Sequence, residues 1–151
     1  MLEGQYIGVV IPARNEETHI QSVLETLPEF IDMAVVIDDG STDETKLRAT
    51  AAQTSFGKTI LHTDGIGVGG AIDLGHQHLL ETLHHPFISV VMAGDGQMDP
   101  DNLKSLLHPI LVGDVDFVKG NRMMNSADTK QMPMTRQRAS KILGWLTTLA
   151  T

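Results

Sequence analysis

Two apolar runs in this chain end in carboxylates. Val35-Val36-Ile37 leads into Asp38-Asp39-Gly40-Ser41-Thr42-Asp43, and Ile88-Ser89-Val90-Val91-Met92-Ala93-Gly94 leads into Asp95-Gly96-Gln97. Carboxylates at the ends of buried parallel strands converge on the crevice where an open α/β sheet binds its ligand. In the first loop they can accept hydrogen bonds from a base or from ribose hydroxyls, while the amides that start the next helix favour anions. In the second, Asp95 and Gln97 are hard oxygen ligands that suit Mg2+ or Mn2+ bridging two phosphates. Each loop also has a plainer explanation. Ser41 and Asp43 can cap the following helix, although capping leaves Asp38 and Asp39 unexplained; and Asp-Gly is ordinary turn chemistry.

Other residues offer weaker chemistry. Gly65-Ile66-Gly67-Val68-Gly69-Gly70 matches the G-x-G-x-x-G string of a dinucleotide site, but it follows the third strand rather than the first, so its expected role is steric: close passage of backbone to a ligand and of helix to sheet. Arg122, just beyond the fifth apolar run, can grip phosphate in a bidentate way or stand solvated. The seven histidines show no ligand spacing and read as surface or core residues. No Gly-x-Ser-x-Gly elbow, Walker loop or His-Glu-x-x-His is present.

The elements that must position these residues follow from periodicity. Tyr6 to Ile11 reads as a strand broken by Pro12, with Asn15 capping a helix whose apolar face is Ile20, Val23, Leu24 and Leu27 and which Pro28 stops. Met33 to Asp38 is the second strand, and Ser41 with Glu44 forms a Ser-x-x-Glu capping box for a second helix. Thr59 to His62 is a third strand. A helix from about Gly70 to Leu83 turns Ile72, Leu79 and Leu83 inward, and Phe87 to Met92 is the fourth strand. Asp99 as cap, Pro100 at the first helical position and the stripe Leu103, Leu106, Leu107, Ile110, Leu111 give the clearest helix. Val115 to Lys119 reads as a fifth strand, residues 120–135 as a loop, and Ile142, Leu143, Leu146 and Leu149 as a final helix with no stop signal. Strands alternating with helices in this way predict right-handed crossovers and a mostly parallel α/β sheet covered on both faces.

With 151 residues, 41% hydrophobic and 20% charged, the chain suits one domain, residues 1–151. A net charge of −8 argues against a nucleic-acid partner, which needs a basic face. From Lys119 onward there are six basic residues and one acidic, Asp128, so the negative charge is concentrated before it; such a basic segment fits an anionic partner or a solvated surface. The absence of cysteine permits a reducing cytosolic setting. No secretory signal and no bilayer-spanning stretch is read from the chain, so it is expected to be cytoplasmic. Homo-oligomer formation is left open.

Taken in order, Val10-Ile11-Pro12-Ala13-Arg14-Asn15-Glu16-Glu17, Val36-Ile37-Asp38-Asp39-Gly40-Ser41-Thr42-Asp43-Glu44-Thr45, Gly67-Val68-Gly69-Gly70-Ala71-Ile72, Gly94-Asp95-Gly96-Gln97-Met98-Asp99-Pro100 and Gly120-Asn121-Arg122 resemble family 2 glycosyltransferases. The branch they resemble most is the dolichol- or polyprenyl-phosphate mannose synthase group. The resemblance implies the GT-A fold, a GDP- or UDP-sugar donor, Mg2+ or Mn2+, and inverting sugar transfer to an acceptor such as a polyprenyl phosphate at the cytoplasmic face of a membrane. It further implies that Pro12, Ala13, Glu16 and Gly67 line the nucleotide pocket and that Asp39, with Asp38, holds the base or ribose. Asp95 and Gln97 would hold the metal on the diphosphate, making Asp95 both catalytic and nucleotide-binding. Arg122 would meet the acceptor phosphate, joined by Arg136 or Arg138. The chain departs from the pattern where Ala93 replaces the first acid of the family's aspartate-x-aspartate signature and where Gly65 replaces an asparagine. Family catalytic domains usually run well past 200 residues, so the C-terminal part of the fold is expected to be missing. The alternatives are a nucleotide-diphosphate-binding module or inactive fragment, and an NAD oxidoreductase.

Overall fold

The computed structural model describes residues 1–120. The chain divides into two compact units, Met1–Asp114 and Val115–Thr151. The first contains β1 (Tyr6–Ala13), α1 (Ile20–Glu25), β2 (Met33–Asp39), α2 (Thr45–Ala51), β3 (Gly57–Thr63), α3 (Gly67–Thr82), β4 (Phe87–Val91), a 3-10 turn (Pro100–Asn102) and α4 (Leu103–Leu111).

The four strands form a parallel sheet in the order β3-β2-β1-β4. Alternate residues of a strand face opposite ways, and both faces are apolar. Ile7, Val9 and Ile11 of β1 pack with Ala34, Val36 and Val90 beneath Ile20, Leu24, Leu103 and Leu107. On the other face Val10, Val35 and Ile37 meet Ala71 and Leu79 of α3. The buried line of α3 is Ala71, Gly75 and Leu79, four residues apart, while Ile72 is only half-buried. A methyl group at Gly75 would lie 2.4 Å from Val10 Cγ1 and 2.8 Å from Ile37 Cδ1, so this helix lies on the sheet at a distance only glycine permits. Helix α3 also begins at Gly67, earlier than periodicity suggests.

Several local expectations are corrected. Strand β1 continues through Pro12, which stands opposite Ile37 of β2. The Pro12 carbonyl accepts from Gly94 N–H. Because the nitrogen and carbonyl of a strand residue point the same way, the missing N–H faces the β4 side, beyond the end of β4 at Val91, and the β1–β2 ladder is left intact. Helix α1 is capped by no side chain, and Asn15 lies four residues ahead of its N-cap His19, at φ +56°. The Ser41–Glu44 capping box does not form: α2 starts after Glu44 without a side-chain cap, and Ser41 Oγ accepts from Asn15 N–H instead, at 2.9 Å. Residues 115–119 form no strand, and Val115 and Phe117 are exposed; a five-residue run interrupted by Asp116 has little strand tendency without a ladder partner. The cap at Asp99 is present, its carboxylate accepting from Asp101 N–H at 3.0 Å ahead of Leu103–Leu111. The loop expected over 120–135, apart from Gly120, and the expected final helix lie outside the described residues.

The carboxyl end of α2 is closed from β3. Lys58 Nζ donates to the carbonyls of Ala49 (3.0 Å), Thr50 (2.9 Å) and Ala52, acceptors a helix end leaves unpaired. Desolvation lowers the Lys58 pKa, opposed by Glu25. Lys58→Met keeps the aliphatic stem and removes the donors, so urea unfolding should show a loss of about 1.5–3 kcal/mol; a variant as stable as the parent would mean that water replaces the ammonium at no cost.

Candidate functional site

Because the strands are parallel, the loops after β1, β2, β3 and β4 all emerge from one edge. Pro12, Ala13, Glu16, Asp38, Asp39, Gly67, Asp95 and Gln97 are therefore brought to the same end of the sheet. The strand order reverses between β1 and β4, which is where an open α/β sheet offers a crevice. A cleft of about 250 Å3 opens there, with Thr18, His19, Ser22, Gly96, Met98 and Pro100 among its lining residues.

Asp38 and Asp39 end β2 and are both nearly buried, at 2% and 5% exposure. Asp38 Oδ1 accepts from Ser41 N–H at 3.2 Å, and its Oδ2 lies 2.8 Å from His62 Nδ1, across the β2–β3 ladder. Asp39 Oδ1 accepts from the Thr63 hydroxyl at 2.6 Å and Ile66 N–H at 2.7 Å, while Oδ2 accepts from Gly67 N–H at 2.9 Å. Asp39 thus sits at the positive start of α3 and keeps limited acceptor capacity toward solvent. Its pKa is lowered, first by the Thr63 hydroxyl, against desolvation, with help from the Ile66 and Gly67 amides and the Arg14 charge. Both carboxylates therefore have fold-holding partners that sequence reading did not supply.

On the β4 side, Asp95 is half-buried and its Oδ1 accepts from Gln97 N–H at 3.0 Å. Gly96 makes the intervening turn at φ +71°, a conformation glycine adopts without strain, and its α-carbon side faces the His19 ring. Gly94 is buried, and a methyl there would come within 3.0 Å of Ala13 Cβ, so this glycine serves close packing of the loop on β1. No group of three His, Cys, Asp or Glu side chains able to hold a metal exists among the described residues. The oxygen donors of Asp95 and Gln97 fit a hard cation that draws its remaining ligands from phosphate and water rather than from a protein cage.

Three residues at this edge escaped sequence reading. Arg14 is exposed just after β1, with Nη1 3.8 Å from where a Gly65 side chain would begin, and its charge acts on Asp39. His62 was predicted at the end of the third strand, so its place was legible although its pairing with Asp38 required the register. His19 is exposed, with Nδ1 2.9 Å from Thr18 Oγ1 and 3.4 Å from Glu16 Oε2. Arg122, Arg136 and Arg138 lie outside the described residues.

Residues 8–149 match the family model of Glycosyl transferase family 2. An uncharacterised protein of Methanocaldococcus jannaschii is 34% identical over 144 residues, covering 95% of this chain and 57% of that protein. A UDP-N-acetylglucosamine–dolichyl-phosphate N-acetylglucosaminyltransferase of Methanococcus voltae is 30% identical, covering 98% of this chain and 64% of its own length. Glucosyl-3-phosphoglycerate synthase of Mycobacterium tuberculosis, solved with Mn2+, UDP and glucosyl-3-phosphoglycerate, superposes with a TM-score of 0.56 at 26% identity, covering 74% of this chain and 41% of that one. The chain thus spans roughly three-fifths of the length of those two curated relatives. The parallel sheet is that of the GT-A fold, and the chain belongs to the family 2 glycosyltransferases.

Proposed function

We propose that this domain is the donor-binding part of a metal-dependent, inverting glycosyltransferase. The observation that carries the reading is the placement of Asp38-Asp39 and Asp95 at one edge of the sheet, on opposite sides of β1. In this reading the nucleoside lies against Pro12, Ala13, Glu16, Gly67 and the Asp38-Asp39 end. The diphosphate extends toward Asp95 and Gln97, which would hold Mg2+ or Mn2+. When bound, that cation supplies neutralisation of the leaving diphosphate. An acceptor oxygen attacks the anomeric carbon from the face opposite the diphosphate, the new C–O bond forming as the sugar–phosphate bond breaks. The protein's part is chiefly positioning and electrostatic stabilisation. Solved relatives hold UDP with Mn2+ or Mg2+, which favours a UDP-sugar over a GDP-sugar. The Methanococcus voltae relative is named for a dolichyl-phosphate acceptor, which favours a lipid phosphate, already anionic and in no need of a general base. Arg122, with Arg136 or Arg138, would meet that phosphate at a membrane surface. No helix among the described residues is long and apolar enough to cross a membrane.

The test is calorimetry on the full-length protein. UDP should bind more tightly with Mn2+ than without it, and Asp95→Ala should abolish that gain, a loss of about tenfold or more in affinity, while leaving metal-free UDP binding in place. Equal metal dependence in the variant, or binding of NAD in place of UDP, would sink the reading. Ala93, half-buried where the family signature has an acid, favours one rival: a nucleotide-diphosphate-binding module without turnover. Donor hydrolysis or transfer assayed with Mn2+ separates the two.

A further inference from the structure

The loops that follow β1 and β2 are laced together by an exchange of hydrogen bonds. Asn15 N–H donates to Ser41 Oγ at 2.9 Å, and Thr42 N–H returns one to Asn15 Oδ1 at 2.9 Å. Glu16 N–H donates to Thr45 Oγ1 at 2.7 Å, and the Thr45 hydroxyl in turn donates to Asp43 Oδ1. Glu17 N–H donates to Asp43 Oδ2 at 3.2 Å, and Glu44 N–H to Glu17 Oε2 at 2.9 Å. From Ser41 the chain of bonds continues through Asp38 to His62, so one polar rim crosses the ends of β1, β2 and β3. Thr45 is fully buried within it.

Asn15 is the residue on which the exchange turns. It gives from its backbone, receives on its side chain, and does so at φ +56°, a left-handed conformation that asparagine tolerates and alanine does not. The β1–β2 ladder ends where Ala13 stands opposite Asp38, so the loop beyond it needs another tie. We propose that Asn15 is a positioning residue: by bonding that loop to Ser41-Thr42 it fixes Glu16 relative to Asp38-Asp39, two walls of the nucleoside slot. The inference rests on the donor-site reading above. Asn15 touches no nucleotide itself; it acts through the spacing of the groups that would.

Three variants of the full-length protein separate this role from a merely structural one. Asn15→Gly accepts the backbone conformation but lacks the acceptor, Asn15→Ala lacks both, and Asn15→Asp keeps both. UDP affinity with Mn2+, measured by calorimetry, should fall about tenfold in Asn15→Gly and at least as far in Asn15→Ala, and return to within about threefold of the parent in Asn15→Asp. Hydrogen exchange at the Thr42 amide should rise in the first two and recover in the third. Should Asn15→Ala fail to fold, Asn15→Gly decides the question. Faster Thr42 exchange with unchanged UDP affinity in Asn15→Gly, or failure of Asn15→Asp to restore affinity, overturns the proposal alone. A parent protein that binds no UDP overturns the donor-site reading and this one with it.

Discussion

Asp39→Ala is expected to leave a protein that binds no nucleotide and loses much of its stability. The substitution strands the Thr63 hydroxyl and the Ile66 and Gly67 amides, all of which now end on one nearly buried carboxylate. Each orphaned donor costs about 1–3 kcal/mol where water cannot reach it. Three of them, even partly hydrated, consume a large share of the 5–15 kcal/mol, roughly, that holds a domain of this size together. Asp39→Asn should fall between alanine and the parent, because its amide nitrogen turns a donor toward a donor. The pH dependence has a definite sign. Folding lowers the Asp39 pKa, so its contribution is present above the ordinary carboxylate range and is lost as pH falls through the folded value. Asp43 adds to the same acid limb: burial would raise its pKa, but the Thr45 hydroxyl and the Thr45 and Glu17 amides outweigh burial and lower it. Urea midpoints followed from about pH 7 to pH 3 should therefore decline in the parent and decline less in Asp39→Asn. An Asp39→Ala protein with the parent's midpoint and the parent's UDP affinity would remove Asp39 from both roles.

The second large effect belongs to Gly75. A leucine there has nowhere to go, since even its Cβ would stand 2.4 Å from Val10 Cγ1, and Val10 and Ile37 are both fully buried. Gly75→Leu is expected to give no cooperatively folded protein, read as loss of a thermal transition. Gly75→Ala is the measurable case. Alanine gains about 1 kcal/mol of helix propensity over glycine, against an overpacking cost of about 1–3 kcal/mol or more in a core that cannot shift. The net result should be a lower melting temperature. Adding Val10→Ala to Gly75→Ala should recover part of the loss, since the closest clash is then removed and only the Ile37 Cδ1 contact at 2.8 Å remains; strict additivity of the two would show that α3 moves away from the sheet instead.

These residues show what the sequence made legible. Strands β2 and β4, and α4 with the Asp99 cap on the 3-10 turn ahead of it, were readable because apolar runs and helix caps are local signals. The convergence of Asp38, Asp39 and Asp95 on one edge followed from the parallel α/β pattern alone. What escaped was lateral. Asn15, Ser41 and Glu44 carry the side chains and spacing of helix caps, yet in the fold they bond to loops more than twenty residues away. His62 and Arg14 gain their neighbours only once the strand register is set. The predicted strand at Val115–Lys119 had an apolar pattern but no ladder partner among the described residues, and a pattern without a partner does not make a strand. Pro12 misled in the opposite direction, because the cost of a proline depends on which side of the strand its nitrogen faces.

The strand order has a consequence for how the chain closes on itself. Gly8 pairs with Met33 and Met33 with Gly57, so β1, β2 and β3 are joined by short crossovers. Tyr6, by contrast, pairs with Phe87, and the loop between them contains both other strands and three helices. Loop-closure entropy grows only logarithmically, so this longer closure costs about 1 kcal/mol more than the others. Burial of Val90 and Met92, at 6% and 1% exposure, outweighs it. The strand that leads to Asp95 is thus held to the sheet against the largest chain entropy of the three pairings, and Val90 and Met92, set immediately before the loop they support, share that hold with Phe87 and Ile88.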